Sequence, residues 1–283
     1  MQKQSVFTSE IGKEKIRGYY NAILDAFPLG KRYVQTTFGQ TFVLEAGNKE
    51  RDPMVLLHGS CSNSAAWLGD MAPLSSTYHV LALDIPGEPG NSEEYRLDVQ
   101  SDANIQWLKE VLDALAIKKA IIMGNSLGGW LVLHFAVAHP ERVQALILLS
   151  ASGIVAPNQE FIRQTEQIPT DRSNAKTAGD TILGESVLPK EVLQFMALVY
   201  EYFNPIVGAL PVVPSDRLGS LTMPVLFIAG RQDATMDVSQ AAKHLTKHVS
   251  QAKVMLLEGS HVITSAANHV LPFLAERVQH KGW

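Results

Sequence analysis

Ala120-Ile121-Ile122-Met123-Gly124-Asn125-Ser126-Leu127-Gly128-Gly129 is the stretch on which the reading of this chain turns. Its first four residues form a short, wholly apolar run, the mark of a strand buried on both faces. From Leu127 to Ala138 the chain is apolar and has no helix breaker beyond its opening glycines, so a helix is expected. Between them stands Gly-x-Ser-x-Gly. A serine on so tight a strand-to-helix turn is held in a strained backbone conformation. Its hydroxyl is presented at the carboxyl end of the sheet, beside the positive end of the helix. The flanking glycines let strand and helix approach closely. The plainer alternative is a tight glycine turn with an incidental serine.

Working outward, five similar runs appear: Met54–Leu57, Val80–Asp84, Leu146–Leu149, Val225–Ala229 and Lys253–Leu257. Each is four to five residues long and is closed by Gly, Pro, Ser, Asp or Glu. Helical spacing separates them. Between Asp98 and Leu115 the apolar positions Val99, Ile105, Leu108, Val111, Leu112 and Leu115 fall on one face. Asp237 to Val249 is a further helical candidate. Strand alternating with helix predicts an α/β protein with a parallel sheet. Two regions depart from the alternation. Residues 1–32 read as a helical extension, followed by a hairpin of Tyr33–Phe38 and Thr41–Glu45 turning at Gly39-Gln40. Residues 152–218 contain no strand pattern, and an insertion of that length between core strands is either a lid or a packing excursion. The expected division is therefore an extension over 1–32, a core over 33–151 and 219–283, and an inserted cap over 152–218.

A serine hydroxyl needs a base to activate it and a third group to orient that base. With a nucleophile on a Gly-x-Ser-x-Gly turn, the acid should follow the serine and the histidine should come last. Val225–Ala229 runs into Gly230-Arg231-Gln232-Asp233, and Lys253–Leu257 into Glu258-Gly259-Ser260-His261. Asp233 and His261 each lie four residues past the last apolar member of a strand. Parallel neighbouring strands would carry both loops to the edge where Ser126 stands. Asp237 competes with Asp233, but it reads as the N-cap of the helix that follows. Of the other eight histidines, seven open a strand or lie on or near helical patterns, and His58 lies on the loop after the first core strand. The oxyanion of a tetrahedral intermediate needs two donors. One is the backbone N–H of Leu127; the other should come from His58-Gly59-Ser60-Cys61 after the first core strand. Ser60 is the first choice there and Cys61 the second, while His58 reads as structural.

Together, His58-Gly59, Trp67, Asp84-Ile85-Pro86-Gly87, Gly124 to Gly129, His139-Pro140-Glu141-Arg142-Val143, Gly230-Arg231-Gln232-Asp233 and Gly259-Ser260-His261 resemble the α/β-hydrolase superfamily. More narrowly, the chain resembles small bacterial carboxylesterases. The resemblance covers the chain from about Tyr33 onward, apart from the insertion. It implies a mostly parallel sheet of about eight strands flanked by helices, with the insertion serving as a helical cap over Ser126. It also implies acyl-enzyme chemistry: Ser126 attacks, His261 takes the proton, Asp233 orients His261, and Ser60 and Leu127 hold the oxyanion. Dehalogenases and epoxide hydrolases of the superfamily carry Asp where this chain has Ser126.

The bulk composition agrees with this reading and excludes others. With 46% hydrophobic and 18% charged residues among 283, the chain can bury a large core. A net charge of −4 does not suit nucleic acid. A single cysteine precludes an internal disulfide. No metal-ligand spacing and no phosphate loop is present, so no metal and no cofactor is expected. The N-terminus has no apolar run after its basic residue, and no stretch could span a membrane. The expected place is the cytoplasm and the expected partner a small-molecule substrate. Oligomeric state is not legible. Cap residues Phe161, Phe195, Met196, Leu198, Tyr200, Tyr202 and Phe203 could line a pocket or merely pack the cap. Arg163 or Arg172 could meet a substrate carboxylate. The leading expectation is a carboxylic-ester hydrolase. The alternatives are a carbon–carbon bond hydrolase with the same triad, an acyl or peroxy-acid transferase, and a hydrolase-fold receptor with little turnover.

Overall fold

Each apolar run extends into a strand of a single eight-stranded sheet, in a computed structural model that describes residues 5–277. In chain order the strands are β1 (Gly30–Thr36), β2 (Gly39–Ala46), β3 (Pro53–Leu57), β4 (His79–Leu83), β5 (Ala120–Asn125), β6 (Val143–Leu149), β7 (Val225–Gly230) and β8 (Ala252–Leu257). Their order across the sheet is β1-β2-β4-β3-β5-β6-β7-β8. β2 runs antiparallel to both β1 and β4, and every other neighbouring pair is parallel. The expected mostly parallel sheet is therefore present. The hairpin turn differs from expectation. Thr36 pairs with Gly39, so the chain turns at Thr37-Phe38, and Gly39 (φ +105°) receives it on the far side. A positive φ there is open to glycine at little cost.

The helices are α1 (Glu10–Asp25), α2 (Leu68–Ser75), α3 (Ala103–Ala114), α4 (Leu127–Ala138), α5 (Gln159–Glu166), α6 (Ser173–Leu183), α7 (Lys190–Tyr202), α8 (Val238–His248) and α9 (Ala267–Arg277). The first four residues of the predicted extension, and His280, lie outside the described residues. α3 starts five residues later than its apolar spacing suggests, because Asp98 instead closes a turn by accepting the N–H of Gln100.

Alternation along β5 explains why its sequence carries no alternation of polarity. Ile122 points into a core layer shared with Trp107 and Leu108 of α3, Leu131 and Phe135 of α4, and Leu245 of α8. Ile121 and Met123 point into the opposite layer, with Tyr20 and Leu24 of α1, Met71 of α2, and Val270 and Phe273 of α9. Both faces of the sheet are covered, so Ala120 to Met123 of the strand are all apolar. At about 25 cal/mol per Å² of apolar surface, these two layers supply most of the driving force for folding.

Residues 152–218 contribute α5, α6 and α7 and no strand of the sheet. Arg172 closes this segment. Its guanidinium donates to the carbonyls of Tyr200 and Phe203 at the C-terminal end of α7, and to Asn204 Oδ1. α1 packs lengthwise on α7. Gly12 is pressed so closely on Tyr202 that a Cβ would lie 2.6 Å from the tyrosine side chain.

Candidate active site

Ser126 sits on the single residue between β5 and α4, with φ 51° and ψ −110°. Such a backbone conformation costs a residue with a side chain about 1–3 kcal/mol and persists only where the surroundings enforce it. Here they do. The Ser126 N–H donates to Leu149 O (2.9 Å) on β6, and Ser152 N–H returns to Ser126 O (3.3 Å). The turn is also sterically closed. A Cβ on Gly124 would lie 2.3 Å from Gly128 O, and one on Gly128 would lie 2.3 Å from Leu57 O. The glycines of the motif are there because strand, turn and helix occupy the space a side chain would need.

Asp233 and His261 are brought together on the loops that leave β7 and β8, at the same sheet edge as Ser126. The His261 Nδ1–H donates to Asp233 Oδ2 at 2.8 Å, and both side chains are buried. The two loops are laced before they reach this pair. Arg231 N–H donates to Leu257 O, Gln232 N–H to Gly259 O, and Gly259 N–H back to Gln232 Oε1. Burial by itself would raise the Asp233 pKa. The hydrogen bond and charge of His261, with two donors from Thr235, outweigh it and hold the carboxyl below its usual range. Asp237 accepts Gln240 N–H and caps α8, as its place in the sequence suggested.

Thr235 is a member of this cluster that the sequence does not announce. Its N–H (2.9 Å) and its hydroxyl (2.7 Å) both reach Asp233 Oδ1, and the hydroxyl lies 3.1 Å from His261 Nδ1. Asp70 on α2 is another. Its buried carboxylate accepts the Ala267 N–H at 2.9 Å, across 197 residues of sequence. It thereby holds the start of α9 and the end of the loop that carries His261.

On the other side of Ser126 lies the loop after β3. A Cβ on Gly59 would stand 3.4 Å from the Ser126 Cβ, so this loop touches the serine. His58 is entirely buried and structural. Its Nε2 accepts the Ile85 N–H, which leaves its Nδ1–H for Gly59 O, and burial lowers its pKa. Ser60 is exposed, whereas Cys61 turns away with φ 60° and gives its N–H to Glu88 Oε2 at 2.6 Å. The Cys61 N–H is therefore already spent. Neither arginine suggested for a substrate carboxylate is free for one: Arg172 is bound to α7, and Arg163 pairs with Glu160 on the surface. Trp67 and Trp130 are core residues, and Trp130 donates its indole N–H to Pro211 O. Among the described residues, no cluster of three His, Cys, Asp or Glu could hold a metal ion, and no helix is long and apolar enough to cross a membrane.

Fold and site define a class, the hydrolases that carry Gly-x-Ser-x-Gly on a strand-to-helix turn. A family model described as the alpha/beta hydrolase fold matches residues 52–177. The chain belongs to the α/β-hydrolase family. It is 28% identical over 277 residues to an uncharacterized carboxylesterase, nap, of Bacillus subtilis, covering 93% of this chain and 92% of that one. It is 31% identical over 205 residues to a 2-hydroxy-6-oxononadienedioate/2-hydroxy-6-oxononatrienedioate hydrolase of Dechloromonas aromatica, covering 64% and 71%. The crystal structure of carboxylesterase CesB from Bacillus subtilis superposes with a TM-score of 0.86 at 24% identity, over 94% of this chain and 99% of that one.

Proposed function

We propose that this protein is a serine hydrolase that cleaves a carboxylic ester through an acyl-enzyme. The observation that carries the reading is the 2.8 Å bond from His261 Nδ1 to buried Asp233, formed at the sheet edge where Ser126 is held at positive φ. In this reading Asp233 fixes the His261 tautomer, so that Nε2 is the unprotonated nitrogen. As Ser126 Oγ attacks the acyl carbon, Nε2 takes its proton. The oxyanion that forms accepts the N–H groups of Leu127 and Ser60. Collapse breaks the acyl–oxygen bond, and the proton on Nε2 leaves with the alcohol. Water then repeats the sequence on the acyl-serine and releases the acid.

Residues 152–218 act as the cap in this proposal. The support is local: Ser260, the neighbour of His261, donates its hydroxyl to Leu183 O at the end of α6 and meets Ser186 Oγ at 2.8 Å. The aromatic residues of this segment mainly pack it in place. Phe203, for instance, is buried against Phe7, Ile16 and Val199.

The likeness to a carboxylesterase along nearly the whole chain favours ester cleavage over carbon–carbon cleavage, for which the match is shorter. The test is hydrolysis of p-nitrophenyl acetate and butyrate by wild type and Ser126→Ala, beside product analysis with a vinylogous 1,5-diketone. Ester turnover lost in the variant is the expected result. Turnover of the diketone alone would install the carbon–carbon reading. A wild type with no burst of acyl-enzyme on any substrate would point to a receptor.

A further inference from the structure

The loop after β3 does not hold its shape by itself. Four hydrogen bonds tie it to the segment after β4: His58 Nε2 accepts Ile85 N–H, Glu88 Oε2 accepts Cys61 N–H, Asn63 Nδ2 donates to Pro89 O, and Asp84 Oδ1 accepts Ser64 N–H. Of these, the one nearest the suggested oxyanion donor is made by Glu88. Its side chain is buried, with only 2% of the residue exposed, although nothing in the triad uses it. Its second oxygen, Oε1, has no hydrogen-bond partner and lies 3.9 Å from the Arg96 guanidinium. An acid kept in such a place, rather than an apolar residue of the same size, is costly unless its acceptor is needed.

We propose that Glu88 is the positioning residue of the oxyanion hole: its carboxyl oxygen captures the Cys61 N–H and holds that residue at positive φ, so that the preceding N–H, on Ser60, is the one presented beside Ser126. The inference rests on the serine-hydrolase reading above. The geometry supplies the reason. A Cys61 φ of 60° is disfavoured for a residue with a side chain and needs an external hold. The 2.6 Å bond to Glu88 is that hold. It also spends one of the two N–H groups that compete for the oxyanion. The acceptor is anchored in turn, because Arg17 on α1 donates to the carbonyls of Gly90 and Ser92, and Arg96 donates to Gly87 O and Asn204 O.

The ionisable groups around the carboxyl are Arg96 from its own segment, the Cys61 thiol from the facing loop, and the Tyr200 phenol from α7, which faces Cys61. Burial drives the Glu88 carboxyl up to about 7, against the opposing pull of Arg96, the Cys61 N–H and the Ser60 hydroxyl. A carbonyl oxygen of the neutral form accepts an N–H as the carboxylate does. The clamp therefore requires an acceptor at this position, not a charge.

The test has one readout on the bond and one on catalysis. In the ¹⁵N-labelled full-length protein, the Cys61 amide proton should shift with pH from 5 to 9, with its midpoint near that of the carboxyl. The titration should vanish in Glu88→Gln. For p-nitrophenyl acetate, Glu88→Leu should lower kcat about 10- to 100-fold with KM changed less than about threefold, since one oxyanion donor is misplaced. It should weaken a trifluoromethyl ketone, which forms a tetrahedral adduct on the serine, by a similar factor. Glu88→Gln keeps an acceptor and should stay within about threefold of wild type on both. A Glu88→Leu enzyme with unchanged kcat and unchanged ketone affinity would overturn the proposal, as would Glu88→Gln falling as far as Glu88→Leu. If Glu88→Leu does not fold, a wild-type Cys61 amide that exchanges with solvent as fast as an unprotected loop amide overturns it alone, because that N–H would then have no acceptor. A wild type with no esterase activity but an intact Cys61 titration would sink the hydrolase reading and leave the clamp standing.

Discussion

Thr235 gives both its N–H and its hydroxyl to one oxygen of Asp233, at 2.9 and 2.7 Å, and leaves the other oxygen to His261. The carboxylate is thus held by three donors in a buried place, and its proton affinity is lowered accordingly. An acid whose folded-state pKa is depressed adds stability above its unfolded pKa and loses it as pH falls through the folded value. For Asp233 that window lies below about pH 4. Thr235→Val removes the hydroxyl and keeps the N–H and the volume. It should let Asp233 protonate at higher pH, move the acid-unfolding midpoint upward, and lower kcat about 3- to 30-fold at pH 7.5. Acid titration by circular dichroism and steady-state kinetics check both; unchanged kcat would mean the hydroxyl does not steady the pair.

Ser126 should separate chemistry from stability. Ser126→Ala removes the proposed nucleophile without touching the backbone, so activity should fall by at least about 10³-fold while the unfolding midpoint stays close to wild type. Ser126→Gly should be equally inactive and more stable by about 1 kcal/mol, because a glycine at φ 51° carries no strain even after its greater unfolded-state freedom is subtracted. Denaturant unfolding of the two variants is the measurement. A Ser126→Gly protein less stable than Ser126→Ala would contradict the strained turn.

Glu88 has the opposite linkage to Asp233. Its folded-state pKa, raised to about 7 from an ordinary 4.5, makes its contribution full below pH 4.5 and progressively lost as pH rises through 7. A gap of that size corresponds to about 3 kcal/mol. Glu88→Gln should therefore gain on wild type as pH is taken from 5 to 8.5, by an amount of that order. Parallel stability curves for the two proteins across this range would show that Glu88 is not buried as an acid.

Asp70 should matter to catalysis from a distance. Asp70→Ala leaves the Ala267 N–H without its acceptor at the start of α9, which costs about 1–3 kcal/mol. Because the loop released is the one that carries His261, kcat should fall several-fold more than KM rises. Asp70→Asn keeps an acceptor and should restore most of both. Equal kcat in the alanine variant would confine Asp70 to stability.

Much of the site could be read from local pattern. Each core strand is a short apolar run, so β3 to β8 differ from their expected ranges by only a few residues at their ends; β8 alone among them, at the edge of the sheet, is half-buried along its whole length where its apolar run suggests cover on both faces. The hairpin turns two residues earlier than its sequence suggests, because Gly39 marks the residue after the turn rather than its first member. The start of α3 was misplaced because Asp98 caps a local turn instead of the helix. Cys61 could not be separated from Ser60 by sequence. Both carry a backbone N–H, and the choice depends on an acid 27 residues away that takes one of them.

What the sequence determined by itself is what short-range sterics and periodicity dictate: a serine on a glycine-closed strand-to-helix turn, and an acid and a histidine each placed just beyond a short apolar strand. What only the tertiary structure decided is everything that depends on which strands lie side by side. The order β3-β5-β6-β7-β8 brings the loops after β7 and β8 into contact, and sets Thr235 against Asp233 and His261. The packing of α2 on α9 brings Asp70 to Ala267, and the segment after β4 folds Glu88 under Cys61. Hydrogen bonds between distant segments leave no period and no spacing in the chain. They exist only once two hydrophobic layers have closed on the sheet and fixed its neighbours.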